Sequence, residues 1–257
     1  MTDKDGLFGF LRGRGAAITW RAAGATNKGL VRQINEDNYL SRSDRGLWLV
    51  ADGMGGHEAG DVASALIVDR ADRAGSPKRL KDAVHAVGGA LHAANADLRA
   101  MAAERGPNAV IGAATVALVA REDAARCLWA GDARLYRLRG GDFRQISKDH
   151  DLVTEMRERE AGSALIEAAM AGNVITRAIG AHDGLDLEGV DVDVAPGDVF
   201  LLCSDGLYKE VATPMLADRL REPDPNRAAA MLIDNALASG GRDNITAIVV
   251  RAEAKKA

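Results

Sequence analysis

The stretch Leu47-Trp48-Leu49-Val50-Ala51-Asp52-Gly53-Met54-Gly55-Gly56-His57 decides the fold. Its first five residues are an unbroken apolar run of strand length, and it stops on an acid and a glycine-rich turn. Two further runs share that form. Cys127-Leu128-Trp129-Ala130 enters Gly131-Asp132, and Val199-Phe200-Leu201-Leu202-Cys203 enters Ser204-Asp205-Gly206. A fourth inverts it, with Asp243-Asn244 ahead of Ile245-Thr246-Ala247-Ile248-Val249-Val250. All four read as buried strands with carboxylates at one end.

Working outward, Leu135 to Arg139, Gly140-Gly141 and Phe143 to Ile146 spell a hairpin. Val190, Val192 and Val194 alternate with acids, as a half-buried strand does. Between the strands lie amphipathic helices. One follows Ser76-Pro77, read as cap and first turn, and carries Leu80, Val84, Val87, Leu91, Leu98 and Met101 on one face. Glu58 to Ala74 reads as its antiparallel partner, and a third helix runs from an Asn226 cap through Leu237 to Gly240-Gly241. Strands and helices do not alternate strictly. That argues for an α+β fold of antiparallel sheets with helices packed on them. With no repeat and no linker, a single domain over residues 18–252 is expected, between tails at 1–17 and 253–257.

Composition narrows the function. In 257 residues, 47% are hydrophobic and 27% charged, which excludes a disordered chain. A net charge of −4 and 4% aromatic residues argue against nucleic acid as a partner, because neither a basic surface nor stacking platforms are provided. The longest apolar run, Ala109 to Ala120, is too short to span a bilayer as a helix. The Leu7 to Leu11 run is too short for a signal peptide, so no membrane partner and a cytoplasmic location are expected. Cys127 and Cys203, each inside an apolar run, read as core residues.

The chemistry lies in the acids. Turn formation explains a lone Asp-Gly without any function. Recurrence at the ends of core strands is harder to explain, because a buried carboxylate is costly unless paired or bound to a cation. Oxygen ligands without clustered His or Cys select a hard ion, Mg²⁺ or Mn²⁺, and several carboxylates suit two ions sharing a nucleophilic water. Arg32, four residues before Glu36 and five before Asp37, offers a guanidinium fork for phosphate oxygens. Gly53-Met54-Gly55-Gly56-His57-Glu58 is a poor dinucleotide fingerprint, and neither a P-loop nor a GxSxG nucleophile occurs.

In order, the motifs are Gly29 to Asp37, Ala51 to His57, Gly131 to Tyr136, Asp149 to Val153, Ile175 to Gly180, Leu201 to Leu207 and Gly241 to Thr246. With these seven, the chain resembles the bacterial stand-alone type 2C metal-dependent serine/threonine protein phosphatases. The resemblance implies a four-layer α-β-β-α sandwich of two antiparallel sheets flanked by helix pairs. It implies two Mn²⁺ or Mg²⁺ ions, with a third in some relatives. Asp52 would bridge two ions, with Glu36 and the Gly53 carbonyl on one and Asp205 and Asp243 on the other. Asp37 would act through water, and Asp132 with Asp205 would hold the third ion. Arg32 would hold the substrate phosphate. A metal-bridging water would attack phosphorus on phosphoserine or phosphothreonine without a phosphoenzyme. Phosphorylated proteins, a cognate Ser/Thr kinase and a monomeric state follow as expectations.

Departures from the pattern concern the leaving-group acid and the flap. Eukaryotic relatives often carry His where Met54 stands, so His57 is the candidate acid, with a turn-orienting role as its alternative. The flap, residues 150–175, has Ala169-Met170-Ala171-Gly172 where relatives show His-Pro-x-Arg. Gly112-Ala113-Ala114-Thr115 replaces a common Gly-Thr-Thr and reads as a packing variant. His85, His92, His150 and His182 read as non-catalytic, and Asp149 as a helix cap. Two alternatives for the whole protein are a catalytically silent phosphoprotein-binding scaffold and a phosphatase dedicated to one small regulatory protein.

Overall fold

The computed structural model describes residues 17–55, 59–160, 165–167 and 174–255. Among these residues, ten strands form two five-stranded antiparallel sheets. The strands are β1 (Ile18–Asn27), β2 (Asp37–Arg42), β3 (Leu47–Met54), β4 (Gly112–Arg121), β5 (Ala124–Ala130), β6 (Arg134–Arg139), β7 (Asp142–Gln145), β8 (Glu188–Asp193), β9 (Val199–Cys203) and β10 (Ile245–Ala254). One sheet has the order β1-β10-β9-β6-β7 and the other β2-β3-β4-β5-β8. The helices are α1 (Ala59–Arg73), α2 (Leu80–Arg105), α3 (Leu152–Glu158), α4 (Asp205–Tyr208), α5 (Thr213–Arg219) and α6 (Pro225–Ala238).

The apolar runs explain the layers. Along β3, Leu47, Leu49 and Ala51 face the α1–α2 pair, while Trp48 and Val50 face the other sheet. Along β9, Phe200 and Leu202 enter the sheet–sheet core, and Val199, Leu201 and Cys203 pack on α4–α6. The order is therefore helix, sheet, sheet, helix. A central strand covered on both sides has no solvent face, which is why its sequence does not alternate. Both cysteines are buried and free, and burial pushes their thiols up.

Several helix ends differ from the sequence reading. Helix α2 starts at Leu80 behind Arg79, so Ser76-Pro77 belongs to the connecting loop rather than the cap. Helix α6 is capped by Asp224, whose carboxylate accepts from the Asn226 N–H (3.1 Å), with Pro225 in the first turn. Helix α3 is capped by Asp151, which accepts from the Thr154 N–H at 2.6 Å, not by Asp149. Strand β10 continues to Ala254, two residues into the expected C-terminal tail, because Glu253 and Ala254 pair with Thr19 and Ile18.

Candidate active site

Antiparallel pairing places the acids of both sheets at one end. In β2–β3 the register sets Asp37 opposite Asp52. Asp205 directly follows Ser204 at the end of β9, and Asp243 lies two residues before β10. A serine joins the sheets: Ser204 Oγ donates to Asp37 Oδ2 (2.6 Å) and accepts from the Thr246 N–H (2.9 Å). Asn244 ties the Arg32 loop to the β10 entry. Its Oδ1 accepts from the Glu36 N–H (2.8 Å), and its Nδ2 donates to the carbonyls of Lys28 and Ile34 (both 2.9 Å).

Beside these acids, β3 and α1 touch through glycines. The Gly53 N–H donates to the Glu36 carbonyl (3.1 Å), and the Gly60 N–H to Glu36 Oε1 (3.2 Å). A Cβ on Gly53 would lie 2.1 Å from the Gly60 oxygen and 2.5 Å from the Glu36 carbonyl oxygen. Only glycine lets the backbone come this close.

The electrostatics are those of crowded carboxylates. Burial pushes Asp52 well above the usual range, and the charges of Asp37, Asp205, Asp132 and Asp243 add to it. Burial lifts Asp37 to about 7, against hydrogen bonds from Ser204 and Thr246. It lifts Asp132 to about 7, with Asp205 adding and Lys209 opposing. Two of the chain's own cations offset part of this charge. Lys209 Nζ bonds Asp205 Oδ2 at 2.5 Å and lies 3.9 Å from Asp132, and Arg32 Nη2 bonds Asp243 Oδ2 at 2.8 Å.

Asp132 is supported from behind. Tyr208 donates to its backbone oxygen (3.1 Å) and to Oδ2 (3.3 Å), and the Arg134 guanidinium lies 3.5 Å above the Tyr208 ring. Arg134 is held by both oxygens of Asp149, which is buried. Asp149 is thus an ion-pair partner rather than a helix cap. His150 accepts from the Gly131 N–H (3.2 Å), bonds Glu188 (2.8 Å) and stacks on Trp129. His85, His92 and His182 are exposed.

The donor set fits hard divalent cations. Every group is an oxygen, and Asp37 Oδ1 and Asp132 Oδ1 are buried without a hydrogen-bond partner among the described residues. As the side chains stand, no three His, Cys, Asp or Glu residues among those described are gathered tightly enough to hold one ion. Arg32, Glu36, Asp37, Asp52, Gly53, Asp132, Asp205 and Asp243 all belong to this end of the sheets. His57, the candidate acid, lies outside the described residues, as does part of the flap.

Sequence reasoning assigned no role to Ser204, Asn244, Tyr208 or Lys209. The signals available were a polar residue directly after an apolar run for Ser204 and the four-residue spacing from Asp205 for Lys209. Nothing local pointed to the contacts of Asn244 or Tyr208.

Comparison with known proteins agrees with this architecture. The chain is 31% identical over 235 residues to the serine/threonine protein phosphatase PstP of Mycobacterium tuberculosis, covering 90% of this chain and 45% of that protein. It thus spans about half the length of that curated relative. A solved structure of the PstP catalytic domain in complex with two manganese ions superposes with a TM-score of 0.81 at 30% identity, covering 92% of this chain and 99% of that one. PppA, described as a key regulatory component of T6SS in Pseudomonas aeruginosa, superposes with a TM-score of 0.84 at 44% identity, covering 93% of this chain and 100% of that one. The family model for protein phosphatase 2C matches residues 20–245, and the chain therefore belongs to that family.

Proposed function

We propose that the protein is a bacterial metal-dependent phosphatase acting on phosphoserine and phosphothreonine in proteins. The observation that carries this reading is the meeting of Asp37 and Asp52 of one sheet with Asp205 and Asp243 at the end of the other and Asp132 in the loop that joins them, with Asp37, Asp132 and Asp205 buried at a cost that bound cations would relieve. Asp52, Glu36, the Gly53 carbonyl, Asp205 and Asp243 would hold two Mn²⁺ or Mg²⁺ ions, with Asp37 behind them and Asp132 available for a third. Bound there, the ions supply Lewis acidity and make water nucleophilic at neutral pH. Arg32, half exposed, would exchange its bond to Asp243 for two phosphate oxygens and orient the phosphorus. Attack by water breaks the bond between phosphorus and the Ser or Thr oxygen. It yields inorganic phosphate and the free hydroxyl, with one proton passing to the leaving oxygen. His57 is assigned here as the donor of that proton.

No helix among the described residues is long and apolar enough to cross a membrane. We infer a monomeric enzyme that opposes a Ser/Thr kinase in the cytoplasm. The 44% identity to PppA favours regulation of a secretion system over other signalling roles. Hydrolysis of a phosphothreonine peptide should require Mn²⁺ or Mg²⁺ and stop with EDTA. A folded sample with no turnover under either metal, on peptides and on intact phosphoproteins, would favour the scaffold reading.

A further inference from the structure

Residues 30–34 lie entirely at the surface, and three of the five are large and apolar. Leu30 is 69% exposed, Val31 63% and Ile34 41%. Leu30 and Val31 are the most exposed large hydrophobic residues among those described. They immediately precede Arg32, and Ile34 follows two positions later.

The loop backbone is fastened where it begins and where it ends. The Leu30 N–H donates to the Gly241 carbonyl (2.7 Å), and Gly29 accepts no Cβ, since one would fall 2.2 Å from the Asp243 oxygen. Gly29 also has φ +79°, a conformation that favours glycine. Asn244 binds the carbonyl of Lys28, two residues before the segment, and that of Ile34 at its end. A backbone pinned this firmly presents its apolar side chains to solvent at a fixed place, and that preorganisation favours binding.

We propose that Leu30, Val31 and Ile34 form the surface that reads the residues flanking the phosphoserine or phosphothreonine, and that it selects substrates with aliphatic side chains there. The proposal rests on the phosphatase reading and on Arg32 as the phosphate-binding group. The occupant is set by position: with the phosphate on Arg32, an extended chain rising about 3.3 Å per residue brings its neighbours within about three positions over these side chains. An apolar flank removes aliphatic surface from water on both partners, whereas a polar flank gains nothing there.

The test uses the Mn²⁺-loaded full chain and three substrates. They are p-nitrophenyl phosphate, a phosphothreonine peptide with Leu and Val at the three positions on each side, and the same peptide with Ser and Gly there. The wild type should show kcat/KM about tenfold higher for the aliphatic-flanked peptide, expressed in KM. In Leu30→Gln with Val31→Thr, chosen to keep size, that ratio should fall to about one. Thermal melting of the variant checks its fold, and the wild-type ratio stands without it. Equal kcat/KM for both peptides in the wild type, or a ratio that survives in the folded double variant, would overturn the docking surface while leaving the phosphatase reading intact. Failure to hydrolyse p-nitrophenyl phosphate and both peptides would overturn both.

Discussion

Substituting Gly60 by Ala sets two physical effects against each other at the site. Gly60 is the second residue of α1, where helix propensity alone favours alanine by up to about 1 kcal/mol. Its added Cβ would lie 2.5 Å from Glu36 Oε1, 2.7 Å from Glu36 Cδ and 2.8 Å from the Gly53 carbonyl carbon. The carboxylate can swing aside, but then it loses the hydrogen bond from the Gly60 N–H, worth about 1.5 kcal/mol for a charged acceptor. The Gly53 carbon cannot yield so cheaply, because it is β3 backbone paired with Ala113 of β4. Overpacking of this kind costs about 1–3 kcal/mol. Net destabilisation of about 2 kcal/mol is expected. Because Glu36 and the Gly53 carbonyl are both displaced, the Mn²⁺ concentration for half-maximal activity should rise by about tenfold or more. Denaturant unfolding of the metal-free protein measures the first quantity, and Mn²⁺ titration of turnover the second. Gly89→Ala in α2 is the control: nothing lies within 4 Å of a Cβ there, so propensity should act alone and stabilise. If Gly60→Ala stabilises as much as Gly89→Ala and leaves the Mn²⁺ requirement unchanged, the close-approach argument fails.

Three other outcomes are expected. Asp52→Asn should lower kcat by about a thousandfold or more while raising the melting temperature of the metal-free protein, since it removes a buried charge among four others; a variant with near-normal turnover would remove Asp52 from the proposed site. Arg134→Met should cost about 3 kcal/mol in denaturant unfolding, because it leaves the buried Asp149 carboxylate with the Gln145 amide but no cation and uncovers the Tyr208 ring that supports Asp132, and a loss under 1 kcal/mol would show that this ion pair holds nothing. Hydrogen bonds from Arg139 hold Asp193 below the usual carboxylate range, so its contribution is present above about pH 4 and fades as the pH falls. Asp193 is largely exposed, so Asp193→Asn, which leaves the Arg139 pair with buried Asp198 in place, should flatten the acid limb of stability by under about 1 kcal/mol, and an unchanged limb would refute the pairing.

Much of the architecture was legible because it is local. An uninterrupted run such as Val199 to Cys203 announces a strand covered on both faces, and a Gly-Gly pair between Arg139 and Asp142 announces a hairpin. Helix starts were less legible. Ser76-Pro77 and Asn226 carry good capping chemistry, yet Arg79 and Asp224 hold those positions, because packing of Val87, Leu91 and Leu98 on the sheet sets where α2 begins. Asp149 looked like a cap and is instead committed to Arg134, 15 residues earlier in the chain.

The chain by itself determined which residues carry chemistry. Acids at strand ends, Arg32 beside Glu36 and Asp37, and the order of seven motifs are properties of residue type and spacing. Convergence was decided only by the tertiary structure. Asp37 meets Ser204 across 167 positions, and Asn244 holds the loop that bears Arg32 from more than 200 positions away. Sheet register is set by hydrophobic faces and hydrogen-bond ladders summed over whole strands, so which carboxylates share a site is a property of how two sheets stack. The exposure of Leu30, Val31 and Ile34 was decided the same way: apolar residue type says nothing of it, and the loop that carries them is held to Gly241 and Asn244 with their side chains in water.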